Sequence, residues 1–446
     1  MKLWQKDKTS LKEVEKFTVG KDREMDLFLA PFDVLGSLAH ITMLESIGLL
    51  TREELQKLSK ALKQIYASID RSEFKVEDGV EDIHSQVELE LTKLLGDTGK
   101  KIHSGRSRND QVLVDVKLFL RAEIDFVVTE VKNLFDLLLI QSQKYKDHLL
   151  PGYTHFQLAM PSSFGLWFSA YAESLIDDLV TVKAAYEVVN KNPLGSAAGY
   201  GSSFPLNRKL TTELLGFADL NYNVVYAQMG RGKTERIVAS AFSNIAATLA
   251  KLSMDACIFL NQNFAFISFP DEFTTGSSIM PHKKNPDVFE LIRARCNQLL
   301  SLPNDMAVVT ANLPSGYHRD MQLLKELLFP AIQNLKECIR MTQLMLENIQ
   351  VRENILADDK YKFLFSVEEV NKLVLAGVPF RDAYKQVGLN IAEGKYHPDT
   401  TVQHVHEGSI GNLCLDEISF NMEKTIRDFG FNRYHHAISN LLKESE

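Results

Sequence analysis

Apolar residues recur at three- and four-residue intervals along three long stretches that hold neither glycine nor proline: between Gly105 and Pro151, from Lys233 to Phe269, and from Ala331 to Ala376. That interval is the helical one, so each stretch predicts a long helix. About forty helical residues extend roughly 60 Å, and an apolar stripe of that length is covered only by neighbouring helices. An elongated bundle follows. Little alternates with the two-residue period of a strand, and no internal repeat or low-complexity tract appears, so the class is all-α.

Shorter segments flank the long ones. Thr51 and Glu54 fit a capping box, and Gly96 fits a helix stop after Leu95. The long helices begin near Gln111, and beyond about Ala357 the chain is broken at Gly377-Val378-Pro379, Gly388, Gly394, Pro398 and Gly408. The expected division is an N-terminal helical domain over 1–110, a central long-helix domain over 111–357, and a small C-terminal helical domain over 358–446.

The net charge of -8 over 446 residues argues against nucleic acid or an anionic membrane as the main partner. The first residues lack a signal-peptide core and no later apolar run reads as long enough to span a bilayer, so a cytoplasmic protein is expected. Cys257, Cys296, Cys338 and Cys414 are far apart in sequence and read as reduced, mostly core residues.

Three blocks carry candidate chemistry. In Asp271–Glu290, Gly276-Ser277-Ser278 precede Lys283, Lys284 and Asn285, with Pro286 where a helix would begin; a helix start with adjacent cations suits a carboxylate. Read singly, it is equally an ordinary solvated loop. His103 to Gln111 places Ser107, Arg108 and Asn109 at the start of the first long helix, either as a second anion seat or as a solvated cap. Pro151 to Gln157 offers Thr154 and His155 in a tight turn, where the imidazole either shuttles protons or is a satisfied structural residue.

Taken together, EDIHSQVE from Glu81, IHSGRSRNDQV from Ile102, PGYTHFQ from Pro151 and TGSSIMPHKKNPD from Thr275 resemble the fumarase/aspartase superfamily, and within it the argininosuccinate lyase family. GSSIMP marks the superfamily, while SGRSRNDQ and KKNPD point to the narrower family. The similarity runs in register from about Glu15 into the C-terminal domain.

This resemblance implies cleavage of argininosuccinate to arginine and fumarate with no metal and no organic cofactor. It implies Ser277 as the base, assisted by Lys283 and loop amides, with His155 supplying the leaving nitrogen's proton beside Thr154. Ser107, Arg108, Asn109, Ser278 and Asn285 match substrate-contacting positions, and Tyr317, Gln322 and Lys325 match those that hold the arginine side. His84 and Glu290 match a pair that supports His155 and the loop. The resemblance also implies a homotetramer whose active sites each draw on three subunits.

Departures cluster on the amino-acid side. His282 stands where many relatives have Gln, Leu323 and Leu324 replace an acidic pair, and Ile237 replaces Asp. The N-terminal Gly-Gly-Arg-Phe signature is absent, and Thr18 to Asp22 differs where the family has a substrate-contacting serine. An N-acylated substrate is therefore a second expectation, beside an adenylosuccinate-type lyase and a retired enzyme kept as a structural protein. The last is disfavoured because Ser277, Lys283, Asn285, His155 and Asn109 are all present. His404-Val405-His406-Glu407 and His435-His436 lack further ligands at a convincing spacing, so no metal site is expected.

Overall fold

The computed structural model describes residues 12–443. Two of the three glycine- and proline-free stretches are long helices as expected, Arg108–Lys144 and Lys233–Leu260. The third departs from expectation: its helix is Leu323–Glu347, which starts upstream, tolerates Pro330 inside it and stops well before Ala376. It stops because the next residues find other partners. Gln350–Val351 pairs antiparallel with Ile267–Ser268, and Asn354 turns the chain through a left-handed conformation.

Phe164–Val189 and Asp287–Val309 complete the bundle. The Arg108 helix lies against the Phe164 and Leu323 helices, and the Lys233 helix against the Phe164, Asp287 and Leu323 helices. Their shared face is one continuous apolar core. Lys233–Leu260 corrects one expectation, since it is long and apolar enough to cross a bilayer, but more than half of its apolar window is buried in the bundle.

At the N-terminal end, Ala30–Ser46, Arg52–Asp70 and Ile83–Leu95 pack together and onto the Arg108 helix. The Thr51–Glu54 capping box forms in both directions, and Gly96 stops the third of these helices at φ 60. Gly36 sets the approach of Ala30–Ser46 to Arg108–Lys144: a Cβ there would stand 3.2 Å from Val114 and 3.5 Å from an Asp115 oxygen.

Past the bundle, Ser366–Leu375 and Phe380–Ala392 share a small core of Val370, Ala383, Val387 and Tyr396. Leu415–Arg427 and Asn432–Leu442 instead return to the bundle. Tyr186 meets Phe429 and Phe431 at ring distances of 5.8 and 5.0 Å, and Arg121 is held between the rings of Phe217 and Tyr434. All four cysteines are free, and only Cys296 and Cys338 are fully buried.

The fold is all-α with one substantial exception. Leu149–Thr154 and Gln157–Ser163 form a hairpin, and the other strands among the described residues are two-residue pairs.

Candidate active site

The expected site residues fall into three places. The first is a cleft of ≈ 390 Å³ where the start of the Arg108 helix faces residues 22–26 and 317–325. Ser107, Arg108, Asn109, His84, Tyr317, Gln322 and Lys325 all line it. The helix begins there because Ser107 and Asp110 cap each other: the Ser107 hydroxyl accepts from the Asn109 amide at 3.3 Å, and Asp110 accepts from the Ser107 amide at 2.8 Å. The second Asp110 oxygen accepts from the amides of Gly195 and Ala197, both at 2.9 Å, which ties the glycine-rich segment to the same helix start. Burial pushes this carboxyl up to about 6 against those hydrogen bonds.

Cations in the cleft are engaged by protein carboxylates. Arg108 reaches Glu81 at 3.2 Å, Asp82 at 2.9 Å and the Ser85 hydroxyl at 3.2 Å. Lys325 is buried between Asp22, at 2.5 Å, and Asp26. Arg231 donates to Glu235 at 2.6 Å and to the Met321 carbonyl at 3.1 Å. Gln322 donates to the carbonyls of Thr18 and Val19 at 3.2 and 3.1 Å, so it also anchors the first helix, Lys12–Val19. Sequence reasoning missed Asp22, Asp26, Arg231 and Arg319 as individual lining residues. The signal available was the departure at Thr18 to Asp22, which marked the right wall without naming its chemistry.

His84 sits at the floor of this cleft and is 6% exposed. Its Nδ1 lies 2.8 Å from Asp33 and 3.5 Å from Asp115. Burial alone would lower its pKa, but the charge and hydrogen bond of Asp33, with Asp82 and Asp115 behind, raise it to about 9. Glu290, the other member of the pair implied to support His155 and the loop, does not line this cleft. Glu290 is exposed near the start of the Asp287 helix, where its charge is felt by Cys257.

The second place is the hairpin tip. Thr154 pairs with Gln157, leaving His155 and Phe156 as a two-residue turn with φ 54 and 56. Positive φ at both central residues gives a turn twist that suits the flanking strands, usually with Asn-Gly; here a histidine and a phenylalanine occupy it. Phe156 is 82% exposed, and Thr154 and His155 are also turned to solvent.

The third place is the serine loop. Thr275–Gly276 pairs with Lys284–Asn285, so residues 277–283 form a loop closed at its base. The Thr275 hydroxyl donates to Asp287, pinning that base to the following helix, and Lys284 pairs with Asp271, pinning it to the turn that precedes the loop. Ser277 Oγ accepts from the amides of Ile279 and Met280, at 3.4 and 3.1 Å. Ser278, Lys283 and Lys284 are exposed, and Asn285 is half-buried at the foot of the loop. Neither the hairpin residues nor Ser277, Ser278, Lys283, Asn285 and Glu290 line the cleft of their own chain. One chain thus offers a cleft of paired charges, an exposed imidazole and an exposed serine loop as separate pieces.

Comparison with known proteins places these pieces in context. A family described as Lyase matches residues 3–300. The argininosuccinate lyase of Parabacteroides distasonis is 65% identical over 441 residues, covering 99% of each sequence. That of Bacteroides fragilis is 64% identical over 441 residues with the same coverage. Among solved structures, an EDDS lyase variant with bound fumarate is similar at TM-score 0.72 and 20% identity, over 96% of this chain and 93% of that one, a likeness of fold.

Proposed function

The chain belongs to the argininosuccinate lyase family, and from that premise we propose that it catalyses the reversible β-elimination of argininosuccinate to L-arginine and fumarate, as a step of arginine biosynthesis in the cytoplasm. Identity of 61–65% to relatives so named, over nearly the whole chain, carries this reading. Nothing in the cleft favours the N-acylated alternative: Asp22 and Asp26 around Lys325 suit an ammonium group better than a neutral amide.

In the proposed mechanism, Ser277 takes the proton from the carbon next to a succinyl carboxylate, and the electron pair left there stabilises as a dianion. A neutral serine is a poor base, so its alkoxide needs donors placed in advance. The two amides already aimed at Ser277 Oγ, with Lys283 in the same loop, support that role. The carbon–nitrogen bond then breaks, its pair passing to the guanidino nitrogen, which His155 protonates beside Thr154. Arg108, Asn109, Ser107, Ser278 and Asn285 hold the succinyl carboxylates, and Tyr317, Gln322 and Lys325 hold the amino-acid end. The step as proposed needs no metal and no organic cofactor.

The separation of the three pieces within one chain supports a homotetramer in which different subunits complete each site, with residues 111–357 as its helical core between flanking parts at 1–110 and 358–446. The experiment is direct. Purified protein with argininosuccinate should release fumarate, followed by ultraviolet absorbance, with arginine in the same tube. Ser277→Ala should abolish the signal, and a folded tetramer inert toward argininosuccinate would refute the reading.

A further inference from the structure

Beneath the cleft lies a buried charge cluster that the proposed chemistry does not use. Asp33 comes from Ala30–Ser46, His84 from Ile83–Leu95 and Asp115 from the Arg108 helix, and candidate ligand atoms of all three lie within 4.8 Å of one another. All three side chains are more than nine-tenths buried. The 2.8 Å separation of His84 Nδ1 and Asp33 is a hydrogen-bond distance, so a proton occupies that gap. Asp33 also accepts from the Gln111 amide group at 3.4 Å.

The opposite ring nitrogen is the informative atom. His84 Nε2 is buried and has no hydrogen-bond partner among the described residues, although the ring lines the cleft beside Arg108 and Asn109. A buried donor is costly to leave unmade, which points to a ligand group that fills the position. The arrangement is also held mechanically: Gly36 allows its helix to approach Val114 and Asp115 closely enough for the carboxylates to meet the ring.

Resting on the proposed function for the identity of the ligand, we propose that His84 is a fixed cationic donor whose Nε2–H binds a substrate carboxylate beside Arg108, and that Asp33 and Asp115 are the positioning residues that keep it so. The groups facing His84 are Asp33 and Asp115 from the two packed helices, Asp82 from its own helix start, and His103 from the adjoining turn. Arg106 and Arg108 offset the acids: the Arg106 guanidinium is buried, donates to the Ser37 hydroxyl at 3.0 Å and faces Asp33, Asp110 and Asp115. The imidazolium therefore lies between an acidic floor and the cleft that its ring lines.

The test uses the full-length protein labelled with ¹⁵N-histidine, and fumarate as the probe. At pH 7.5 the His84 signals should show both ring nitrogens protonated, with Nε2 shifting when fumarate is added. Asp33→Asn should give a neutral, single-tautomer ring and weaken fumarate binding about tenfold to a hundredfold, the range for one charge-assisted hydrogen bond. Asp115→Asn, which keeps the close Nδ1 contact, should do the same to a smaller extent and serves if Asp33→Asn does not fold.

A neutral His84 in the wild type would overturn the proposal without any variant. So would unchanged fumarate affinity in Asp33→Asn, which a purely structural cluster predicts. Stoichiometric Zn²⁺ or Mn²⁺ uptake lost in His84→Gln would overturn it too, by making the cluster a metal site. Failure of argininosuccinate turnover with a protonated, fumarate-responsive His84 would refute the proposed function and leave this assignment standing.

Discussion

The Lys325 ammonium lies 2.5 Å from the Asp22 carboxylate, deep in the wall of the cleft, with Asp26 on its other side. Burial, then the neighbouring charge of Asp26, pushes the Asp22 carboxyl up to about 6 despite the lysine. Asp22 is therefore charged above about pH 6 and neutral below it. If it receives the substrate's α-ammonium group, KM for argininosuccinate should rise as pH falls through 6, with kcat less affected. Asp22→Asn should show the higher KM at every pH, and an unchanged KM profile would remove Asp22 from recognition.

Lys325→Met should act on stability as well as binding. Removing one partner of a buried ion pair leaves uncompensated charge and costs about 3–5 kcal/mol. The loss should be smaller in acid, where Asp22 takes up a proton, and urea melts at pH 5 and 7.5 would read the difference.

His155→Asn separates backbone from chemistry. Asparagine accepts the left-handed conformation found at φ 54 better than most residues, so the turn should survive and thermal stability should stay within about 0.5 kcal/mol. Turnover should nevertheless fall about 10²–10⁴-fold, the usual worth of a positioned acid or base. Activity near wild type would show that the imidazole carries no proton.

Mixing two impaired variants tests whether sites are shared. Ser277→Ala and His155→Asn should each be severely impaired alone, yet co-refolded tetramers should regain part of the activity, because some sites would draw an intact loop and an intact hairpin from different subunits. No recovery from verified mixed tetramers would place both residues on one chain's site.

The Asp33–His84 pair predicts a pH dependence of stability with a defined sign. A histidine favoured in its protonated form by the fold adds stability that is fully present below about 6.5 and is lost as pH rises through about 9. The stability gap between wild type and His84→Gln should close over that window. Gly36→Ala should cost about 1–3 kcal/mol by crowding Val114 and Asp115, and should lower the apparent His84 pKa as the helices separate.

Local signals were legible where the cause is local. Thr51 with Glu54, Gly96, and Pro286 before the Asp287 helix each mark a helix boundary that backbone hydrogen bonding determines over a few residues. The hairpin was hidden because His155-Phe156 replaces the usual Asn-Gly turn and Pro151 pairs with Pro161 inside it. The third long run does not show where its helix ends, because that end depends on Ile267–Ser268, far away in sequence. Asp33 and Asp115 were invisible as site residues for the same reason: each is an ordinary helical aspartate until three helices bring it to His84.

The sandwich of Arg121 between Phe217 and Tyr434 bears on how the chain is made. The guanidinium is fully buried and donates to the carbonyls of Leu215 and Gly216, yet one of its covering rings is supplied only by residue 434. Residue 434 leaves the ribosome long after residue 121, so until then one face of this cation has no ring to cover it. A chain cut before residue 434 would leave one face of the Arg121 guanidinium bare to water, and the seam between the Asn432 helix and the bundle would be where proteolysis starts.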